Sequence, residues 1–169
     1  LQEERDKAKK YFETAGVMMT VLDTDGQVCQ INKKGGAVLE YEESEIVGKN
    51  WFDLCIPPEI TKEIKIVFGN LIRGNLVPVE YYENEVITKF GKRRIIAFHN
   101  TILKDEASRI TGILFSGEDI TERKQAEKEL KESEQFIKTV MDNLPIGLAV
   151  NSVDPEVEFE YINDNFSYF

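Results

Sequence analysis

An α+β fold is predicted by three features of this 169-residue chain. Two short β-rich runs, 17–22 and 28–32, are joined by the turn residues Asp23-Thr24-Asp25-Gly26. Three longer β-rich runs, 77–89, 94–103 and 110–116, are separated by Phe90-Gly91-Lys92 and by residues 105–108. Between the two groups, Ile60, Ile64, Phe68, Leu71 and Ile72 recur at helical spacing. Strands, then helices, then longer antiparallel strands is an α+β order.

The elements follow in order. Residues 1–14 are charged and helix-prone, with Ala8, Tyr11, Phe12 and Ala15 on one edge and Gly16 as the stop; residues 1–10 read as an incoming linker helix. The first two strands form a hairpin, and Asn32 opens a short helix through Ala37, Val38 and Leu39. Ser44 is placed to cap a one-turn helix that Gly48 ends. Asn50-Trp51-Phe52-Asp53-Leu54-Cys55-Ile56 is an aromatic, apolar segment before Pro57-Pro58, so it is expected to cross the molecule buried. The long helix and three long strands complete a domain over residues 11–121.

The last strand runs into Gly117-Glu118-Asp119-Ile120-Thr121-Glu122-Arg123, where a charged helical pattern begins. Asp119 stands where an N-cap belongs, with Glu122 three residues on as the second half of a capping box. Four residues separate Asp119 from Arg123, which would place them on one helical face. In residues 122–144 a heptad seam holds Arg123, Leu130, Ile137 and Leu144 at one position and Asp119, Ala126, Ser133 and Val140 at the other. That seam is polar near the domain and apolar away from it. A coiled coil about 36 Å long is expected, with a single amphipathic helix as the alternative, ended by Pro145. Residues 145–169 then echo the pattern of the first strands and the helix before them, as a second domain of the same kind would.

Composition limits the function classes. Lys and Arg total 21 against 31 Asp and Glu, a formal charge of −10, which argues against nucleic acid or an anionic membrane as the main partner. No apolar run approaches the ~20 residues of a membrane-spanning helix, so no direct membrane insertion is expected. The two cysteines, Cys29 and Cys55, give neither a disulfide framework nor a metal-ligand spacing. A cytoplasmic location fits, including the cytoplasmic side of a membrane-anchored parent.

Taken together, the closing Glu118-Asp119-Ile120-Thr121, the Asp23-Thr24-Asp25-Gly26 turn, Ile31-Asn32 entering a helix, Val47-Gly48-Lys49 and His99-Asn100-Thr101 resemble the PAS domains of prokaryotic sensor proteins. The resemblance implies a five-stranded antiparallel sheet with short helices on one face, followed by a long linker helix. It also implies a sensory or relay module of a signalling protein, most naturally a multi-PAS sensor histidine kinase, of which this chain is an internal part. Asp119, Ile120, Thr121 and Arg123 would then be the relay, and Ala126, Leu130, Ile137, Val140 and Leu144 the dimer seam. A homodimer, adjacent PAS or kinase domains and a small-molecule ligand are the partners implied. A ligand-free dimerisation scaffold, or a receptor domain of a diguanylate cyclase or transcription regulator, fits the same residues.

Catalysis is not expected from this chain. His99 is the single histidine and lies in a strand, where it reads as structural or pocket-lining; a phosphotransfer histidine needs an exposed helix. Lys34-Gly35-Gly36 lacks the spacing of a phosphate cradle. Haem-binding relatives take an axial histidine from the long helix, and residues 61–73 contain none. Photoactive flavin-binding relatives carry Asn-Cys-Arg-Phe-Leu-Gln, against Asn50-Trp51-Phe52-Asp53-Leu54-Cys55 in this chain, and a glutamine where Gly117 stands. The cofactor is therefore left unspecified. Trp51, Phe52, Leu54, Ile64, Phe68, Tyr81, Ile96, Phe98 and Phe115 are the candidate walls of a central pocket, and the sequence leaves open whether they line a cavity or fill it.

Overall fold

A computed structural model describes residues 2–75, 81–146, 149–151 and 159–162. It divides into two compact units, residues 1–122 and 123–169. In the first unit, helix α1 (Gln2–Thr14) precedes strands β1 (Met18–Asp23) and β2 (Val28–Ile31). Four helices follow: α2 (Lys33–Leu39), α3 (Glu43–Ile46), α4 (Trp51–Leu54) and α5 (Thr61–Ile72). Strands β3 (Tyr81–Ile87), β4 (Arg93–Lys104) and β5 (Ile110–Asp119) close the sheet. The part of the predicted 77–89 strand before Tyr81 lies outside the described residues.

The strand order is β2-β1-β5-β4-β3, antiparallel throughout, so the last strand returns to the middle of the sheet. Period-two alternation then decides the core. Met18, Thr20 and Leu22 of β1, Ile113 and Phe115 of β5, and Ile96 and Phe98 of β4 all face inward and are buried. Trp51, Phe52, Cys55 and Ile64 meet them from the helical side. Each large apolar side chain fully buried there contributes roughly 1.5–3 kcal/mol before entropy is counted. Gly26 shows how tightly the turn is packed against this core: it sits at φ +82°, and a Cβ would fall 2.4 Å from Cε2 of Phe52.

Two local expectations are corrected. The one-turn helix α3 starts two residues earlier than a Ser44 cap allows; Glu42 is the N-cap and its N–H donates to Glu45 Oε2 at 3.0 Å. Strand β5 runs on through Asp119 because β4 is long enough to pair with it there, Ile96 opposite Asp119.

Helix α6 (Thr121–Asn143) begins where β5 ends. In the second unit, β6 (Ala149–Asn151) and β7 (Phe159–Ile162) form an antiparallel pair. The other residues of the expected second repeat, Asn163 and Phe166 among them, lie outside the described residues. Among the described residues, no helix is long and apolar enough to cross a membrane.

Candidate functional site: the strand-to-helix junction and the pocket beneath it

The end of β5 is tied to β4 and to the start of α6 by side chains as well as backbone. Asp119 Oδ2 accepts from Arg94 Nη1 at 2.6 Å, while Oδ1 accepts from Thr121 N–H at 3.1 Å and from Thr121 Oγ1–H at 2.5 Å. The same Thr121 hydroxyl oxygen accepts from Ile95 N–H at 2.9 Å, and Ile120 N–H donates to the Ile95 carbonyl at 2.9 Å. Ile120 itself is buried. Ile95 of β4 thus spends both backbone groups on the first residues of the outgoing helix.

Partial burial pushes the Asp119 carboxyl up, but the two bonds from Thr121 and the hydrogen bond and charge of Arg94 outweigh it and hold the carboxyl below its ordinary value. Asp119 does satisfy an orphan N–H of the helix, as a cap should. Its ionic partner, however, is Arg94, and Asp119 is a strand residue, so the face-sharing with Arg123 inferred from a four-residue spacing does not apply. Arg123 approaches Glu127 one turn on, at 3.8 Å. Arg94 is the functional candidate that spacing missed; it stands beside Arg93 at the polar start of β4, where nothing in the sequence singles it out.

Apart from the junction, between α4, α5 and the sheet, lies a cavity of about 50 Å³. Of the nine predicted wall residues, Trp51, Phe52, Ile64, Phe68, Phe98 and Phe115 line it. Their rings meet edge to face: Trp51 and Phe115 at 4.9 Å between centroids, Phe98 and Phe115 at 5.1 Å, Phe52 and Phe68 at 5.0 Å. Ile96 is fully buried on the same face but packs farther along, against the Gly117 position. Leu54 is half-buried against the core.

Tyr81 is a correction, since it points to the other face, 46% exposed, with its ring 5.0 Å from that of His99. Tyr82 takes its place in the wall, and its hydroxyl donates to Glu63 of α5 at 2.7 Å. That bond, with burial second, raises the Tyr82 pKa. His99, on the exposed face with Tyr81, is likewise not pocket-lining. Asn84 and Asn100 also reach the cavity and were missed, because polar residues carry no apolar-wall signal. Burial pushes the Cys55 thiol up to about 12, which keeps it a neutral core group. Among the described residues, no group of His, Cys, Asp or Glu is arranged to hold a metal ion.

Along α6 no residue is buried. Of the expected seam, Leu130 is 62%, Ile137 53% and Val140 44% exposed, Ala126 is exposed, and Leu144 lies one residue past the helix end. Phe136, 69% exposed beside Ile137, is a further apolar residue of this helix.

A family model described as PAS domain matches residues 15–122. No curated protein matches the chain. Among solved structures, the PAS domain of an HTR-like protein from Haloarcula marismortui is 21% identical, with 70% of this chain and 93% of that one covered and a TM-score of 0.56. The PAS domain of the Cronobacter turicensis RpfR quorum-sensing receptor, in complex with BDSF, is 24% identical over 63% of this chain and 96% of that one, TM-score 0.51. A PAS domain from a two-component sensor histidine kinase is 14% identical over 70% and 97%, TM-score 0.54. At these identities the likeness is one of fold.

Proposed function

Since the chain belongs to the PAS domain family, we propose that it is a sensory and relay module without catalytic activity of its own, set in a sensor histidine kinase. The observation that carries the relay is the Asp119 carboxylate, bonded on one side to Arg94 of β4 and on the other to Thr121 of α6. Any shift of β4 against β5 changes the seat of the helix. Helix α6 passes the change on through a seam of Ala126, Leu130, Ile137, Val140 and Leu144, paired with the same seam of a second copy. The exposed Leu130, Ile137 and Val140, with Ala126, fall on heptad seam positions and support that pairing. The β6–β7 pair belongs, in this reading, to a second PAS domain that receives the signal.

A coupling of ~1–3 kcal/mol is enough for such a device, and the junction's hydrogen bonds are of that order. The test is Asp119→Ala in the whole 169-residue chain. The β-sheet circular dichroism should persist while amide exchange in the first turn of α6 rises about tenfold. Unchanged exchange with an intact sheet would remove the centre of the proposal.

A second reading, a small-molecule receptor, is favoured by Asn84 and Asn100 among the aromatic walls. At about 50 Å³ the cavity is far below the ~300–1,000 Å³ of common ligand pockets, so α5 would have to move to admit anything large. Mass spectrometry of small molecules released on denaturation separates the two: one stoichiometric compound supports the receptor, none supports the relay.

A further inference from the structure

The side chain of Asn32, 1% exposed, makes four hydrogen bonds that join three elements. Its Oδ1 accepts from Met19 N–H at 2.9 Å and from Gly35 N–H at 2.8 Å, while Nδ2 donates to the carbonyls of Phe12 and Val17, each at 3.0 Å. Two amide donors on one side and two carbonyls on the other fix the amide's orientation. Its backbone adds two more bonds, N–H to the Met19 carbonyl and the carbonyl from Gly36 N–H, both at 3.0 Å. One residue is therefore the N-cap of α2, a rung against β1, and a partner for a carbonyl in the last turn of α1, a position that lacks a helical partner.

Helix α1 has little else to hold it. None of its residues is buried, Tyr11 is 71% exposed, and its 13 residues are too few for a stable helix alone. A further polar tie to α2 is Glu13 Oε2, which accepts from Lys33 N–H at 3.2 Å. A helix held by a few polar bonds and partial packing docks and undocks far more easily than one seated in a core.

On the far side of Asn32 the connections are stiff. Met19 sits in β1 beside Met18, which is fully buried opposite Gly117 of β5. At Gly117 even a Cβ would lie 2.6 Å from Ile96 Cγ2 and 2.8 Å from Met18 Cγ, so these three residues have no slack. Ile96 is in turn the register partner of Asp119.

We infer that Asn32 is the positioning residue through which docking of α1 is coupled to the β1–β5 pair and so to the Asp119 junction. This makes α1 an input element, distinct from the cavity, and it rests on the relay reading of Asp119. Undocking removes the bonds to Phe12 and frees β1 to shift against Gly117 and Ile96. Ile120 and Thr121, bonded to Ile95 and Asp119, register that shift.

The experiment is amide hydrogen exchange on the whole chain, comparing wild type with Asn32→Ser and Asn32→Asp. Serine keeps an oxygen for the α2 cap and aspartate keeps both acceptor roles, while neither donates to Phe12 and Val17. Both variants should raise exchange across α1 roughly tenfold or more and raise it at Ile120 and Thr121, with the β3–β4 amides unchanged. Protection of α1 retained in both variants overturns the inference, as does release of α1 with Ile120 and Thr121 unaffected. Glu13→Ala covers the case of global unfolding: altering a half-exposed residue, it should loosen α1 by about threefold and move Ile120 the same way. No change at either place overturns the inference too. Failure of the underlying relay shows separately, as Asp119→Ala leaving the first turn of α6 untouched while α1 responds to Asn32.

Discussion

Asp119 carries two jobs that pull on one carboxylate, an ion pair with Arg94 and a cap for Thr121, and its charge state sets both. Its folded-state pKa is depressed, so the folded form binds the proton less readily than the unfolded chain. The stabilisation is therefore present above the unfolded value of about 4 and is lost as pH falls through the folded one. Comparing urea unfolding of wild type and Asp119→Asn should give a difference of about 1–2 kcal/mol at neutral pH, modest because both partners are partly exposed. That difference should shrink below about pH 4; a gap that persists in acid would mean that shape, not charge, matters there. Gly117 makes the opposite argument, since its value lies in having no side chain. Gly117→Ala must displace Ile96 or Met18, and a loss of about 1–3 kcal/mol in thermal or urea unfolding is expected.

Elements were legible from the sequence wherever one signal decided them, and less so where a partner decided them. The hairpin turn and the helical spacing of Ile64, Phe68 and Leu71 are local, and the structure has each where local rules put it, whereas the strand-to-helix handover comes later because β4 pairs with β5 as far as Asp119. Registers are not local. Tyr81 and Tyr82 are adjacent aromatics, and only the pairing of Tyr82 with Phe98 tells which faces the core. Arg94 meets Asp119 across 25 residues, and Asn32 gathers Phe12, Val17 and Met19 from another part of the chain; neither contact leaves a trace in spacing. Helix α6 is the reverse case, with a heptad pattern plain in sequence and no residue buried along the helix in the single chain. Its seam residues are exposed, so the double substitution Leu130→Glu with Ile137→Glu should leave the domain's melting temperature within a few degrees. The same variant should abolish self-association in sedimentation velocity, since four carboxylates would face one another across the seam. Association that survives would transfer the dimer contact to another surface.

At the scale of the whole molecule the governing number is the net charge of −10, which is doubled in the proposed dimer. Along α6 itself the charges nearly cancel: Glu122, Glu127, Glu129, Glu132 and Glu134 fall in its first two-thirds with Arg123, Lys124, Lys128 and Lys131 among them, ahead of the apolar Phe136, Ile137 and Val140. Parallel pairing through the seam would bring two chains of like net charge together, and bury apolar area in the distal half of α6. Coulomb repulsion therefore opposes association and apolar burial drives it, and the two respond differently to salt. The Debye length shrinks as ionic strength rises, to ~10 Å at 0.1 M, whereas apolar burial does not weaken. Raising sodium chloride from about 20 mM to about 300 mM should thus tighten the dimer several-fold, read as a falling Kd in sedimentation equilibrium. A Kd that rises with salt would require opposite charges to meet across the interface, and the apolar seam of α6 would no longer account for it.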